Sequence, residues 1–222
     1  MTRSEILQRV DHTLLKADAT KAQIKKICEE AMANKTASIC INPGYIQYAK
    51  EIMGDSVPIC TVIGFPLGAM TTAAKVFEAK DAIEKGAKEV DMVINISKAK
   101  DGEFGYIEDE IRQIKGAVGD KVLKVIIETC LLTEEEKIKM CEVVVNAGAE
   151  YIKTSTGFST GGATFEDVEL FAKYTKGGCK IKAAGGIKSK EDMERFISLG
   201  ADRLGTSSAI KILDKLEAGG EY

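Results

Sequence analysis

The sequence predicts an α/β protein, a single-domain (β/α)8 TIM barrel over residues 1–222 with a short flexible tail at 218–222. Short β-branched apolar runs alternate with amphipathic helical stretches eight times within 222 residues, the count and length of a closed parallel barrel. No G-x-G-x-x-G follows the first apolar run, which weakens the alternative of an open doubly wound sheet. No Pro- or Ser-rich linker offers a place to divide the chain.

Each element has its own signal. A short strand at 10–14 precedes a helix at 17–34, where Ile24, Ile27, Cys28 and Ala31 recur at i, i+3, i+4, i+7 and Asp18 or Thr20 caps the start. A strand at 37–41 stops at Asn42-Pro43-Gly44, and a helix runs on to about 53. The strand at 58–64 ends in Gly64-Phe65-Pro66-Leu67-Gly68, and the helix at 70–85 ends at Gly86. Strands at 89–96 and 122–128 are followed by helices at 104–118 and 133–146, the latter with Thr133 and Glu136 at capping-box spacing. Strands at 149–154, 180–184 and 203–205 complete the eight, with helices at 165–176, 191–199 and 208–217.

Composition narrows the function. With 31 basic against 34 acidic residues and a net charge of −3, nothing suggests nucleic acid as a partner, and a small molecule fits better. No run of about 18 apolar residues suggests a membrane span. Six cysteines without a C-x-x-C pair are expected to be reduced, in the cytoplasm. A lone histidine, His12, argues against a metal site.

In such a barrel the active site lies at the C-terminal ends of the strands. The polar residues there are Asp11, Thr13, Asn42, Asp91, Asn95, Glu128, Lys153, Thr154, Lys182, Ser207 and Ser208. Lysine rarely occupies the end of a buried apolar strand, so Lys153 is the candidate nucleophile, although the residues alone do not rank it above Lys182. Each ammonium discourages its neighbour from carrying a proton; lowering a lysine from about 10.4 by about three pKa units requires roughly 4 kcal/mol. The free amine attacks a carbonyl to form a Schiff base, an electron sink for making or breaking a C–C bond. Asp91 shares a strand face with Val93 and Asn95 and is placed to move protons, while Lys124, deeper in its strand, is a supporting charge for Asp91 or Glu128. Gly157, Gly185, Gly186 and the run Gly205-Thr206-Ser207-Ser208 follow the last three strands, where barrels frequently seat a phosphate. Cys40 reads as packing or, at the mouth, as an off-pathway target for reactive enals; His12 reads as packing between substrate-facing neighbours.

The blocks Asp11-His12-Thr13-Leu14-Leu15, Cys40-Ile41-Asn42-Pro43, Glu89-Val90-Asp91-Met92-Val93-Ile94-Asn95-Ile96 and Leu123-Lys124-Val125-Ile126-Ile127-Glu128-Thr129 stand in one order with Lys153-Thr154-Ser155-Thr156-Gly157, Lys182-Ala183-Ala184-Gly185-Gly186 and Gly205-Thr206-Ser207-Ser208. Together with residues 62–68, they make nearly the whole chain resemble the 2-deoxy-D-ribose-5-phosphate aldolase family. The resemblance implies a cytoplasmic, cofactor-free class I aldolase that reversibly splits 2-deoxyribose 5-phosphate into acetaldehyde and glyceraldehyde 3-phosphate, as a dimer or tetramer. It makes Lys153 the Schiff-base lysine, Lys182 the lysine that lowers its pKa and shuttles protons, and Asp91 the proton-transfer carboxylate. Asp11, Thr13, Lys124 and Thr154 become substrate contacts, Gly157, Gly185, Gly186, Ser207 and Ser208 the phosphate seat, and Tyr222 a tail residue folding over the mouth. Phe158 stands where some members carry a basic residue, so the phosphate is expected to rest on N–H groups and hydroxyls. The alternatives are another lysine Schiff-base enzyme, such as a transaldolase-like transferase, and a non-catalytic sugar-phosphate binding barrel.

Overall fold

The structure, a computed structural model, describes residues 1–217; Tyr222 and the expected tail at 218–222 lie outside the described residues. Eight strands, β1 (Val10–Leu14), β2 (Ser38–Ile41), β3 (Ile59–Ile63), β4 (Glu89–Val93), β5 (Val122–Ile126), β6 (Tyr151–Lys153), β7 (Lys180–Ala184) and β8 (Arg203–Thr206), close into a barrel in sequence order. Every neighbouring pair is parallel, and the register sets Asp91 beside Lys124, Lys153 beside Lys182, and Lys182 beside Arg203.

The surrounding helices are α1 (Arg3–Leu7), α2 (Lys21–Asn34), α3 (Ile46–Met53), α4 (Thr72–Glu84), α5 (Ile96–Lys100), α6 (Phe104–Val118), α7 (Glu134–Asn146), α8 (Phe165–Thr175), α9 (Lys190–Ser198) and α10 (Ala209–Glu217). Thr20 caps α2 and Thr133 caps α7, each in a capping box that satisfies two otherwise orphaned N–H groups. Ile24, Ile27, Cys28 and Ala31 bury one face of α2 against outward side chains such as Ile39, Ile41 and Ile59. Burying each large aliphatic chain in this way contributes about 1.5–3 kcal/mol. Among the described residues, no helix is long and apolar enough to cross a membrane.

Three local expectations give way. The short helix α1, closed by a Thr2–Glu5 capping box, was not anticipated, because five residues are too few to show a period. Strand β4 stops at Val93, since Asn95 leaves the sheet to cap α5 by accepting from the Lys98 N–H. Strand β5 stops at Ile126, and Glu128 takes a left-handed backbone conformation with φ 53°.

The barrel interior positions the site. Side chains alternate inward and outward along each strand, so alternate strands meet at common levels. Near the N-terminal strand ends, Glu89, Tyr151 and Arg203 share a level; Asp11, Cys60, Lys124 and Lys182 occupy the next; Cys40, Asp91 and Lys153 lie above. Gly205 completes that upper level, because a Cβ there would lie 2.9 Å from the Ala184 Cβ and 3.1 Å from Lys182 Cε. Such levels are ordinarily filled by branched aliphatic residues. Here they are largely charged.

Candidate active site

Lys153 ends β6 and Lys182 lies mid-strand in the adjacent β7, and both amines reach the same oxygen: each Nζ is 2.7 Å from Asp91 Oδ2. Lys124 holds the other Asp91 oxygen at 2.8 Å and lies 2.7 Å from Glu89 and 3.4 Å from Asp11. Lys182 also pairs with Asp11 at 2.5 Å, and Arg203 closes the cluster from below by donating to Asp11 and, at 3.1 Å, to Glu89. Four cationic side chains therefore meet three carboxylates. Lys153 is the cation with a single carboxylate partner among these, whereas Lys124 has three and Lys182 and Arg203 two each.

All of these groups are largely or wholly buried, where an uncompensated ion costs several kcal/mol and mutual pairing must offset it. Burial favours the neutral acid of Asp91, but Lys124, Lys153 and Lys182 outweigh it and hold the carboxyl well below its ordinary 3.8. Asp11 is lowered in the same way, burial being overcome by Lys124, Lys182 and Arg203. Burial likewise works against the charge on Lys182 and Lys124, yet Asp11 and Asp91 raise both above the ordinary lysine value. Lys182 is thus a fixed cation beside Lys153.

Above Lys153 opens a cavity of about 400 Å³, whose lining includes Thr13, Gly157, Gly185, Gly186, Ser207 and Ser208. That volume suits a small ligand. Gly157, Gly185 and Gly186 have φ values of 85°, 78° and 76°, the left-handed conformation used in backbone anion nests. Ser208 immediately precedes α10, whose N-terminus carries partial positive charge. Glu128 shapes the rim: its carboxylate accepts from the Thr156 N–H and hydroxyl, and Thr156 Oγ1 accepts from the Phe158 N–H. Phe158 stands edge-on to Phe65, centroids 5.3 Å apart, and lines the cavity together with Lys16.

Two groups of ligand-type atoms, Cys40–Cys60–Asp91 and Asp11–Cys60–Glu89, lie within 4.8 Å of one another. The cation that meets them is an ammonium: Lys124 Nζ approaches Cys60 Sγ at 3.1 Å as well as the three carboxylates.

A lysine–carboxylate–lysine cluster at the C-terminal mouth of a (β/α)8 barrel, beneath an anion-shaped cavity, defines a class of enzyme that works through amine–carbonyl condensation. Residues 5–209 match the DeoC/LacD family of aldolases, and the chain belongs to that family. The deoxyribose-phosphate aldolase of Streptococcus agalactiae is 59% identical over 221 residues, covering 99% of both chains. That of Clostridioides difficile is 60% identical over 208 residues, 94% of this chain and 95% of its own. Among solved structures, a putative deoxyribose-phosphate aldolase from Coccidioides immitis superposes with a TM-score of 0.94 at 38% identity, covering 98% of this chain and 87% of that one. A tetrameric deoxyribose phosphate aldolase from Aeropyrum pernix gives 0.88 at 31%, covering 99% and 94%.

The expected site residues do not all converge. Lys153, Thr13, Gly157, Gly185, Gly186, Ser207 and Ser208 line one cavity, with Asp91 and Lys182 in contact with Lys153 or its partner below. Thr154 does not join them: the period of two turns it away from the Lys153 face, and its hydroxyl bonds the backbone of Ala184. Asp11 and Lys124 lie a level below Lys153 and outside the cavity lining, and Lys124 pairs with Asp91 rather than Glu128. Cys40 is fully buried beside Cys60 and outside the cavity lining. His12 faces α2, where Nε2 meets Glu30 at 2.8 Å, and burial lowers its pKa against the pull of Glu30. Arg203, Glu89 and Cys60 went unnoticed; the signal was Glu89 two residues before Asp91, and Arg203 two before Gly205.

Proposed function

We propose that this chain catalyses the reversible cleavage of 2-deoxy-D-ribose 5-phosphate to acetaldehyde and D-glyceraldehyde 3-phosphate through a Schiff base on Lys153. The observation that carries the reading is the single Asp91 oxygen shared by Lys153 and Lys182 at the floor of the cavity. In the synthetic direction the neutral Lys153 amine adds to the acetaldehyde carbonyl, and loss of water with uptake of one proton leaves an iminium ion. The iminium loses a methyl proton to a water held by Asp91 and Lys182, and the resulting enamine forms the new C–C bond at the aldehyde carbon of glyceraldehyde 3-phosphate. Hydrolysis then returns the amine. In this reading Thr13 takes a sugar hydroxyl and Gly157, Gly185, Gly186, Ser207 and Ser208 take the phosphate, supported by their lining one cavity. Relatives bearing the name deoxyribose-phosphate aldolase support the substrate, and the tetramer from Aeropyrum pernix supports a homo-oligomer, a dimer or tetramer; action in the cytoplasm belongs to the same proposal.

Treating the protein with acetaldehyde and borohydride, then mapping the product by mass spectrometry, tests this directly. An ethyl group on Lys153 is expected; an adduct on Lys182 instead, or none at all, overturns the reading. With Phe158 in place of a basic side chain, removing the substrate phosphate is expected to lower kcat/KM by less than about a thousandfold, roughly 4 kcal/mol. Parallel kinetics on deoxyribose and its 5-phosphate measure it.

A further inference from the structure

We propose that Arg203, at the N-terminal face of the barrel, is a positioning residue for the lysine chemistry at the opposite face: opposed by Glu89, its guanidinium supplies the surplus positive charge that makes Lys153 the amine to give up its proton. The inference rests on the Schiff-base reading of Lys153.

Its basis is the charge count. Without Arg203, the three ammonium groups of Lys124, Lys153 and Lys182 would be matched one for one by Asp11, Glu89 and Asp91. Adding the guanidinium leaves one positive charge in excess. Arg203 shares Asp11 with Lys182 and Glu89 with Lys124, so it draws on the carboxylates that would otherwise serve those two lysines alone. Lys182 and Lys124 must then lean on Asp91, the one carboxylate that Lys153 touches. Guanidinium does not deprotonate in proteins, and burial strengthens each of these couplings. The excess therefore falls on the amine with the fewest carboxylate partners, Lys153.

Among the described residues, the other titratable groups facing the cluster are two thiols and a phenol; a hydrogen bond with Cys60 lowers the Cys40 thiol against burial, and Cys40 enters the count as neutral. Cys40 and Cys60 face the cluster from β2 and β3; burial, with Cys40 and Asp91 adding to it, pushes the Cys60 thiol well up. Below, Tyr151 stacks 5.9 Å from the Arg203 guanidinium, and burial raises its phenol as well. Glu5, Arg9, Lys180 and Asp202 share the outer cavity with Arg203 at the solvent edge, where water screens them.

The test is the pH dependence of imine trapping with acetaldehyde and cyanoborohydride, read by mass spectrometry on the full chain. Arg203→Gln is expected to move the pH of half-maximal trapping at Lys153 up by about one unit, Glu89→Gln to move it down by about one unit, and Arg203→Lys to leave it in place. A purely structural plug would lower the trapped yield in all three without moving the midpoint, and midpoints that coincide with the wild type overturn the inference. Thermal melts report which variants fold; where Arg203→Gln does not, the direction of the Glu89→Gln shift decides. Absence of trapping in the wild type at every pH defeats the Schiff-base reading itself, a result distinct from unshifted midpoints.

Discussion

Lys75 and Lys153 are both withdrawn from solvent and both paired with a carboxylate, one between α4 and α6 outside the barrel and the other within it. Lys75 Nζ meets Glu110 at 3.0 Å and donates to the Val93 carbonyl at 2.8 Å, and Thr72 donates to the second Glu110 oxygen. One cation, its paired anion and a neutral acceptor close that group, and a second carboxylate, Glu78, which accepts from the Gly64 N–H, also acts on Lys75, so no positive charge is left in excess. Inside the barrel, four cations share three carboxylates, and the neutral Cys60 thiol accepts from Lys124 without cancelling the difference in charge. A buried lysine is therefore not itself a mark of chemistry. What separates the two regions is whether the charges around the lysine balance, because an unbalanced cluster at an open cavity has a reason to release a proton and a place for an electrophile to arrive.

The largest expected effect lies on the barrel side. Replacing Lys153 with Met should lower kcat by more than about ten-thousandfold and abolish borohydride trapping, because of the two described lysines that line the cavity, Lys16 and Lys153, it is Lys153 that pairs with Asp91. The same replacement at Lys75 should leave trapping at Lys153 intact. If Lys75→Met abolished trapping in folded protein, the division between the regions would be broken.

The next effect belongs to the other side. Lys75→Met strands Glu110 in an apolar setting and should destabilise the fold by about 3–5 kcal/mol, whereas the double change Lys75→Met, Glu110→Leu should recover most of that loss. Denaturant titration of both variants measures it. A double variant as unstable as the single one would show that the pair does more than neutralise itself.

The sequence announces these two regions unequally. The strands are legible because β-branched runs recur between helical periods, and Lys153 and Lys182 stand out because lysine contradicts an apolar strand. Arg203 and Glu89 open their strands, where a charged residue ordinarily faces solvent, so only the closing of the barrel reveals that they meet. Asp11 was legible as an inward polar residue but not its depth, since one step along a strand is about 3.3 Å and two steps separate it from Thr13 at the cavity. Thr154 shows the opposite failure: adjacency to Lys153 suggested a shared site, while alternation places it on the other face. Lys75 was invisible as a buried charge because its neighbours on α4 read as an ordinary exposed helix face, and its partner Glu110 comes from another helix, 35 residues away.

A smaller effect distinguishes the two regions by pH. Burial lowers the pKa of Lys75, outweighing the opposing pull of Glu110, while Lys124 and Lys182 are raised by Asp11 and Asp91 despite burial. For the raised pair, the stabilisation is fully present below the unfolded lysine value of about 10.4 and is lost as pH climbs through the folded value above it. For Lys75 the sign reverses. Below about 10.4 the unfolded chain holds a proton that the folded chain has begun to release, so stability gains with rising pH across that interval, by no more than about 1.4 kcal/mol per pH unit. The wild type minus the Lys75→Met, Glu110→Leu double variant isolates this contribution, because every other lysine titrates alike in both. Urea titrations from pH 8 to pH 10 should show that difference rising with pH, and a flat or falling difference would place Lys75 with the lysines inside the barrel.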